Sequence, residues 1–239
     1  MDKELRRRSR VAFNGPGFYI PLDSLHQIVT PEAVRGILPS VISGIPPDSF
    51  HRLAEYICGG SRGTHERTKS YRKIFSILIL IGRLDKISDF VQEEVTDATL
   101  PFWRVGTGEP IQLACSNDEE PIRLFREWKA RDVEAFESTQ WQTLAPFFSG
   151  SNDDSSGGLY QLSWKHPLPF EILPENANIT KSEGRPTSSG SPTSDFSQGP
   201  GDSMKGAHGK VWKVRIHPGQ HSLPSYRVRG PLFNLLTFL

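Results

Sequence analysis

The chain has 239 residues, enough for one large or two small domains. Its 28 basic and 27 acidic residues leave a net charge of +1, which excludes a strong general attraction to nucleic acid or to an acidic membrane surface. Cys58 and Cys115 are too few for a disulfide framework and indicate a reducing, intracellular compartment, cytoplasmic or nuclear. We therefore expect neither a nucleic-acid partner nor a membrane partner.

Residues 1–19 read as a flexible basic tail. They lack the apolar core of a secretory signal, and they contain the cluster Arg6-Arg7-Arg8-Ser9-Arg10. Such a cluster serves either as a nuclear-import patch or as a site for a basic-directed kinase, which makes Ser9 a candidate phosphosite. The alternative is a solvated tail with neither role.

Residues 20–148 predict a helical domain. Thr30 caps a short helix that has Pro31 at its first position and ends near Pro39. Asp48 is expected to cap a second helix over 49–58, which Gly59-Gly60 stops. The apolar face of this second helix is formed by Phe50, Leu53, Ala54 and Ile57.

The most apolar part of the chain predicts a third helix over 69–81. Its run of eight apolar and small residues, 74–81, is far shorter than the roughly 20 residues needed to span a membrane, so a helix in the centre of the core is favoured. Asp85 is then expected to cap a fourth helix, whose apolar face comprises Ile87, Phe90, Val91 and Val95.

The domain ends with an extended stretch over 103–113 and two further helices. Ile122, Leu124, Phe125 and Trp128 mark a short helix. Asp132 is expected to cap the last long helix, whose inward residues are Val133, Phe136, Trp141 and Leu144.

Residues 149–203 have the composition of a linker. Ser, Thr, Gly and Pro dominate over 180–201, and so few apolar residues cannot offset the entropy of ordering, which predicts disorder. Ser191-Pro192 makes Ser191 a candidate proline-directed phosphosite, with an unmodified linker as the alternative.

A glycine motif follows over 204–227. Gly206, Gly209 and Val211 match the second half of a kinase-type loop, G-x-G-x-x-G-x-V, whose backbone amides cover ATP phosphates, and His208 occupies the tip. Met204 stands where the first glycine belongs. Residues 211–216 alternate like a half-buried strand. A plain hairpin turn between two strands is the alternative interpretation.

The strand that would carry a phosphate-binding A-x-K lysine has one candidate, Tyr226-Arg227-Val228-Arg229. Arg229 stands at the lysine position, and its planar guanidinium holds phosphate differently from an ammonium. Pro231 follows closely and disfavours a central strand. No His or Cys spacing suggests a metal site.

The order of several segments resembles the N-terminal part of filamentous-fungal protein-kinase-like proteins, in which a helical region precedes a kinase domain. These segments are 73–82, 97–101, 141–148, 168–170 and 206–218. The resemblance implies a serine/threonine-type kinase fold, ATP with magnesium, and phosphoryl transfer to a protein. It carries over as cofactor-binding residues Gly206, His208, Gly209 and Val211.

The sequence departs from that family by Met204, by the absent A-x-K lysine and by the long insert before the loop. The catalytic Asp of His-Arg-Asp and the magnesium-binding Asp-Phe-Gly do not occur, so no catalytic or metal residue is assigned. Residues 228–239 are unlike a kinase, and we interpret them as a read-through or frameshift tail.

The expected fold is therefore mainly α: a helical domain, a disordered linker and a short β-hairpin resembling the first strands of a kinase N-lobe. The first functional hypothesis is the N-terminal part of a protein-kinase-like protein, not catalytic by itself. The second is a non-catalytic helical module that binds a protein partner and keeps a vestigial glycine motif. A third is a non-functional gene fragment.

Overall fold

The computed structural model describes residues 1–15, 17–44, 46–60, 69–106, 108, 110–115, 120–149, 160, 162–172, 203–206, 209–212 and 214–223. The chain divides into two compact units. The first comprises Met1–Pro169 and His217–Pro224, and the second comprises Phe170–Ile216 and Ser225–Leu239.

The first unit begins with a helix where the sequence predicts a flexible tail. Helix α1 spans Asp2–Arg8, and its Leu5 is fully buried. Glu4 pairs with Arg7 and Arg8, so part of the basic cluster supports the helix with ion pairs one turn apart. Two short antiparallel strands and a second helix follow: β1 Arg10–Val11, β2 Phe18–Tyr19 and α2 Leu22–Ile28.

The next two helices confirm one predicted cap and overturn another. Helix α3 spans Pro31–Val41, and the Thr30 hydroxyl accepts a hydrogen bond from the Ala33 amide at 3.3 Å. The expected end near Pro39 is wrong, because the helix includes Pro39 while Leu38 stays buried in the core. Helix α4 spans Pro47–Ile57.

Asp48 does not cap α4. The helix begins one residue earlier, at Pro47, because proline has its helical φ already fixed and needs no donor partner at this position. The predicted apolar face is confirmed, with Phe50, Ala54 and Ile57 buried and Leu53 partly buried. Gly59 ends the region with φ of +70°, a conformation that favours glycine.

Helix α5, Arg72–Leu80, lies at the centre of the hydrophobic core, as the sequence predicts. Residues 74–78 are all completely buried. A 3₁₀ turn over Leu84–Lys86 then leads into α6, Ile87–Gln92. Asp85 makes no capping bond, contrary to expectation, because it lies within that turn and pairs with Arg83.

Aromatic side chains pack a β-hairpin of the first unit against its last α-helix. Strands β3 Phe102–Val105 and β4 Gln112–Cys115 pair antiparallel, and α7 spans Ala130–Thr139. Phe136 stacks on Phe90 and Phe102 with ring centroids 5.6 and 5.7 Å apart. Asp132 lies inside the first turn of α7 and pairs with Arg83, so its predicted capping role is wrong.

Short single-turn elements complete this region. Residues Arg123–Phe125 form a 3₁₀ turn where the sequence predicts a short helix. A further 3₁₀ turn, Gln140–Thr143, follows α7 directly. The predicted inward residues Val133, Phe136, Trp141 and Leu144 are all buried.

The described residues of the second unit form four short strands in two antiparallel pairs. They are β5 Phe170–Ile172, β6 Ser203–Gly206, β7 Gly209–Trp212 and β8 Val214–Ile216. Strand β5 pairs with β8, and β6 pairs with β7. The single strand predicted over 211–216 is therefore shared between two partners, since β7 and β8 pair with different segments.

The chain then returns to the first unit. The Phe148 amide donates to the Gln220 carbonyl, and the Ser222 amide donates to the Phe148 carbonyl, both at 2.9 Å. The part of the chain described is thus rich in helix, with small antiparallel strand pairs, which confirms the mainly α expectation. Within these residues no helix has the length and apolar character needed to cross a bilayer.

Candidate functional site

The glycine motif forms the tip of a hairpin in the second unit. Strands β6 and β7 pair so that Gly206 faces Gly209, and Met204 faces Val211. The two residues between these strands, which include His208, lie outside the described residues. The linker site Ser191 lies outside them as well. Of the four predicted nucleotide-binding residues, the structure thus brings Gly206 and Gly209 opposite each other and places Val211 two positions along the ladder.

This geometry suits two interpretations. Gly206 and Gly209, which face each other, have no side chains that would keep a phosphate from their own backbone, as a phosphate-covering loop requires. The same arrangement also satisfies an ordinary tight hairpin, for which glycine is the common residue. The strand pairing alone therefore does not distinguish nucleotide binding from a structural turn.

The other predicted phosphosite, Ser9, lies directly after α1. Its hydroxyl donates to the Leu5 carbonyl at 3.0 Å, and so takes part in ending the helix. Two of the arginines that would attract a basic-directed kinase are engaged by Glu4. These contacts lower the pKa of Glu4 to about 2, chiefly through the hydrogen bonds from Arg7 and Arg8.

A cleft in the first unit is a further candidate that the sequence interpretation missed. It has a volume of about 290 Å³ and an apolar lining that includes Leu25, Leu100, Pro101, Leu144, Pro146 and Phe147. Lys73, Thr143, His166 and Gln220 also line it, and Tyr160 contributes a phenol ring. The one signal in the sequence is a lysine placed directly before the apolar run of α5.

Lys73 gives the cleft its charge. Within the described residues Lys73 makes no ion pair and no side-chain hydrogen bond. Burial lowers the pKa of its ammonium group, and the negative charge of Asp97 only partly opposes that effect. Burial is also the main cause that lowers the pKa of His166; the Ser163 carbonyl opposes it, and the charge of Lys73 adds to it.

A buried carboxylate anchors the backbone beside Lys73. Asp97 accepts hydrogen bonds from the Ser70 hydroxyl at 2.9 Å, the Lys73 amide at 3.1 Å and the Ile74 amide at 3.0 Å. It therefore satisfies the free amides at the start of α5 from a distant part of the chain. Burial raises the pKa of Asp97, while these donors and the Lys73 charge act in the opposite direction.

The described residues contain no preformed cluster of metal-binding side chains. No three His, Cys, Asp or Glu side chains there converge closely enough to hold a metal ion.

Comparisons with known proteins supply no family assignment: no family model matches the chain, and no curated protein or solved structure matches it significantly.

Proposed function

We propose that this chain is a non-catalytic protein-interaction module that accompanies the glycine hairpin of a protein-kinase-like protein. The observation that carries the proposal is Trp164, whose side chain is 83 % exposed in the first unit. Tryptophan is enriched where proteins bind one another, because it buries a large apolar area with few rotatable bonds. Its ring contacts only the ammonium of Lys165, 5.7 Å from the ring centroid, among the contacts of the described residues.

Two further exposed apolar side chains lie on the β1–β2 hairpin. Val11 and Phe18 face each other across the two strands and are 65 % and 52 % exposed. Hydrogen bonds between Asn14 and the backbone of His166 and Leu168 hold this hairpin against the segment that carries Trp164. The module thus offers apolar anchors on two neighbouring segments, which favours a protein partner.

The test compares proteins captured by immobilised wild-type chain with those captured by the double variant Trp164→Ser, Phe18→Ser. We expect one partner to be lost by the double variant and kept by Glu134→Ser, a change at an exposed carboxylate on α7. Circular dichroism melting of each variant checks that the fold is intact. Equal capture by all three proteins would overturn the proposal.

Nucleotide binding by the hairpin is the second candidate function, and the facing pair Gly206 and Gly209 favours it. We expect ATP with magnesium to raise the melting temperature of the wild-type chain by a few degrees. The variant Gly206→Ala, Gly209→Ala should lose this shift, because added methyl groups keep phosphates from the backbone.

Gly108→Ala is the matched control for the nucleotide test. A Cβ at Gly108 meets no atom within 4 Å, so this change should leave the ATP-induced shift unaltered. If ATP with magnesium did not change the melting temperature of the wild-type chain, the hairpin would be interpreted as a structural turn.

A further inference from the structure

We propose that the cleft beside α5 binds a small, largely apolar organic acid that also carries a hydroxyl group. The proposal does not depend on partner binding by Trp164 or on nucleotide binding by the glycine hairpin. It rests on three features of the cleft: its size and lining, the ammonium group of Lys73, and the amide oxygen of Gln220. Among the described residues, that ammonium group makes no ion pair and that oxygen accepts no hydrogen bond.

The size and lining select a small, apolar molecule. A volume of about 290 Å³ lies at the lower end of ligand-binding clefts. Apolar side chains form most of the wall, and three that line the cleft remain unusually exposed, namely Phe147 at 39 %, Tyr160 at 37 % and Leu162 at 40 %. A ligand with an apolar body would remove that surface from water.

The charge selects an acid. Lys73 lines the cleft without an ion-pair partner in the part of the chain described, and its positive charge reaches the His166 ring. A desolvated ammonium group gains most from an anion placed against it, since the attraction is strong where water is scarce. A ligand carboxylate supplies that anion, whereas a cationic ligand would be repelled by Lys73.

The hydroxyl follows from Gln220. This residue is only 2 % exposed and lines the cleft, yet its Oε1 accepts no hydrogen bond from any of the described residues. A buried acceptor without a donor carries an uncompensated desolvation cost. Because this oxygen is itself covered, the Gln220 side chain would move on binding so that a ligand hydroxyl can donate to it. The Thr143 hydroxyl, which also lines the cleft, does not compete, because it already donates to the Gln140 carbonyl.

The experiment is calorimetric titration of the full chain with three probes: 3-phenyllactate, 3-phenylpropionate and 3-phenylpropan-1-ol. The first has both polar groups, the second lacks the hydroxyl at the α-carbon, and the third lacks the carboxylate. We expect 3-phenyllactate to bind roughly tenfold more tightly than 3-phenylpropionate, the ratio expected for one hydrogen bond to a buried acceptor. We expect 3-phenylpropan-1-ol to bind weakest.

Variants assign the effect to the two residues. Lys73→Met should abolish the preference for the acids over the alcohol, and Gln220→Leu should abolish the preference for 3-phenyllactate over 3-phenylpropionate. Lys129→Met, at an exposed lysine, is the control and should bind like wild type. Amide chemical shifts of α5 upon adding 3-phenyllactate report the binding site directly, even if one variant fails to fold.

Two results would overturn the proposal. One is equal affinity for all three probes, which would make the cleft a non-selective apolar surface. The other is unchanged affinity of 3-phenyllactate for a folded Lys73→Met variant, which would place the carboxylate elsewhere.

Discussion

Asp97 shows how one side chain joins two distant parts of this chain. Its carboxylate binds the start of α5, more than twenty residues earlier, and its own amide donates to the Ser70 carbonyl at 2.8 Å. Because Lys73 follows directly in α5, the same junction also fixes where the backbone of the cleft lysine lies. Asp97 therefore positions the backbone at the start of α5.

Replacing Asp97 by Asn should destabilise the first unit. One carboxylate oxygen accepts from both the Ser70 hydroxyl and the Lys73 amide, so an amide nitrogen in its place would set donors against a donor. The free energy of unfolding should fall by about 1–3 kcal/mol, the cost of leaving buried polar groups unpaired. Urea unfolding measures this difference. Asp89→Asn, at an exposed side chain of α6, should change stability far less.

His166 should make the fold sensitive to mild acid. Its pKa lies below the ordinary value of about 6.5, mainly because it is partly buried, so the unfolded chain takes up a proton more readily than the folded chain. The neutral ring contributes its full stability above the unfolded-state pKa of about 6.5. This contribution is lost as the pH falls from there through the lower pKa of the folded state.

Unfolding measured between pH 7.5 and pH 5.5 tests this pH dependence. His166→Gln should flatten the decline in stability without removing it, because burial lowers the pKa of His26 in the same direction. A pH profile identical to that of the wild type would show that His166 titrates alike in both states.

At the scale of elements, the four strands of the second unit have registers that fit one interrupted hairpin. Strand β5 pairs with β8 from Phe170 opposite Ile216 to Ile172 opposite Val214, and β6 continues with Ser203 opposite Trp212. Only Lys213 separates β7 from β8, whereas residues 173–202 separate β5 from β6. The two registers therefore fit one continuous ladder if a single residue stands between β5 and β6.

Deleting residues 174–202 should preserve this hairpin. In the shortened chain Leu173 would be the one residue between β5 and β6, so the two strands could join as one continuous strand. Stability should be unchanged or rise by roughly 1–3 kcal/mol, because a long loop no longer has to be closed. Cross-strand contacts measured by NMR between Ile172 and Val214, and between Ser203 and Trp212, would show that both registers persist.

The matched control deletes residues 174–201 and so retains one residue more. The extra residue shifts the register of β6 against β7 by one position relative to that of β5 against β8. A shift of one position turns side chains to the opposite face of a strand. This variant should form a bulge or lose one of the two ladders. If both deletions gave the same ladders, β5 and β6 would be independent strands.

Element prediction succeeded where burial sets the pattern and failed where several residues compete to begin a helix. The apolar run of α5 and the apolar face of α4 were predictable because their spacing reflects one buried side. The start of α4 was not, since Pro47 and Asp48 are both good first-turn residues and only the folded chain shows which one begins the helix.

At the scale of the whole molecule, the cleft could not be predicted from the sequence. Lys73, His166 and Gln220 belong to three segments that become neighbours only through tertiary packing. No local spacing marks such a set, unlike the glycine motif, whose residues are close together in the chain. Gln140 illustrates the same limit, because its buried amide serves both backbone groups of Phe102, a partner 38 positions away.

The return of residues 217–223 to the first unit leads to a prediction about truncation. The His217 amide donates to the Pro169 carbonyl, and Gln220 and Ser222 pair with the backbone of Phe148. Gly219 packs so closely against Asp23 that no larger side chain fits without moving it. This short segment therefore supplies backbone hydrogen bonds and packing to the first unit.

A chain ending at Ile216 should consequently be less stable than one ending at Leu223. Three backbone hydrogen bonds are lost, which together account for roughly 2–4 kcal/mol and a melting temperature lower by roughly 5–10 °C. Both chains contain the hairpin of the second unit, so its presence cannot explain a difference between them. Calorimetry measures the melting temperature of each chain. Equal melting temperatures would mean that residues 217–223 do not stabilise the first unit.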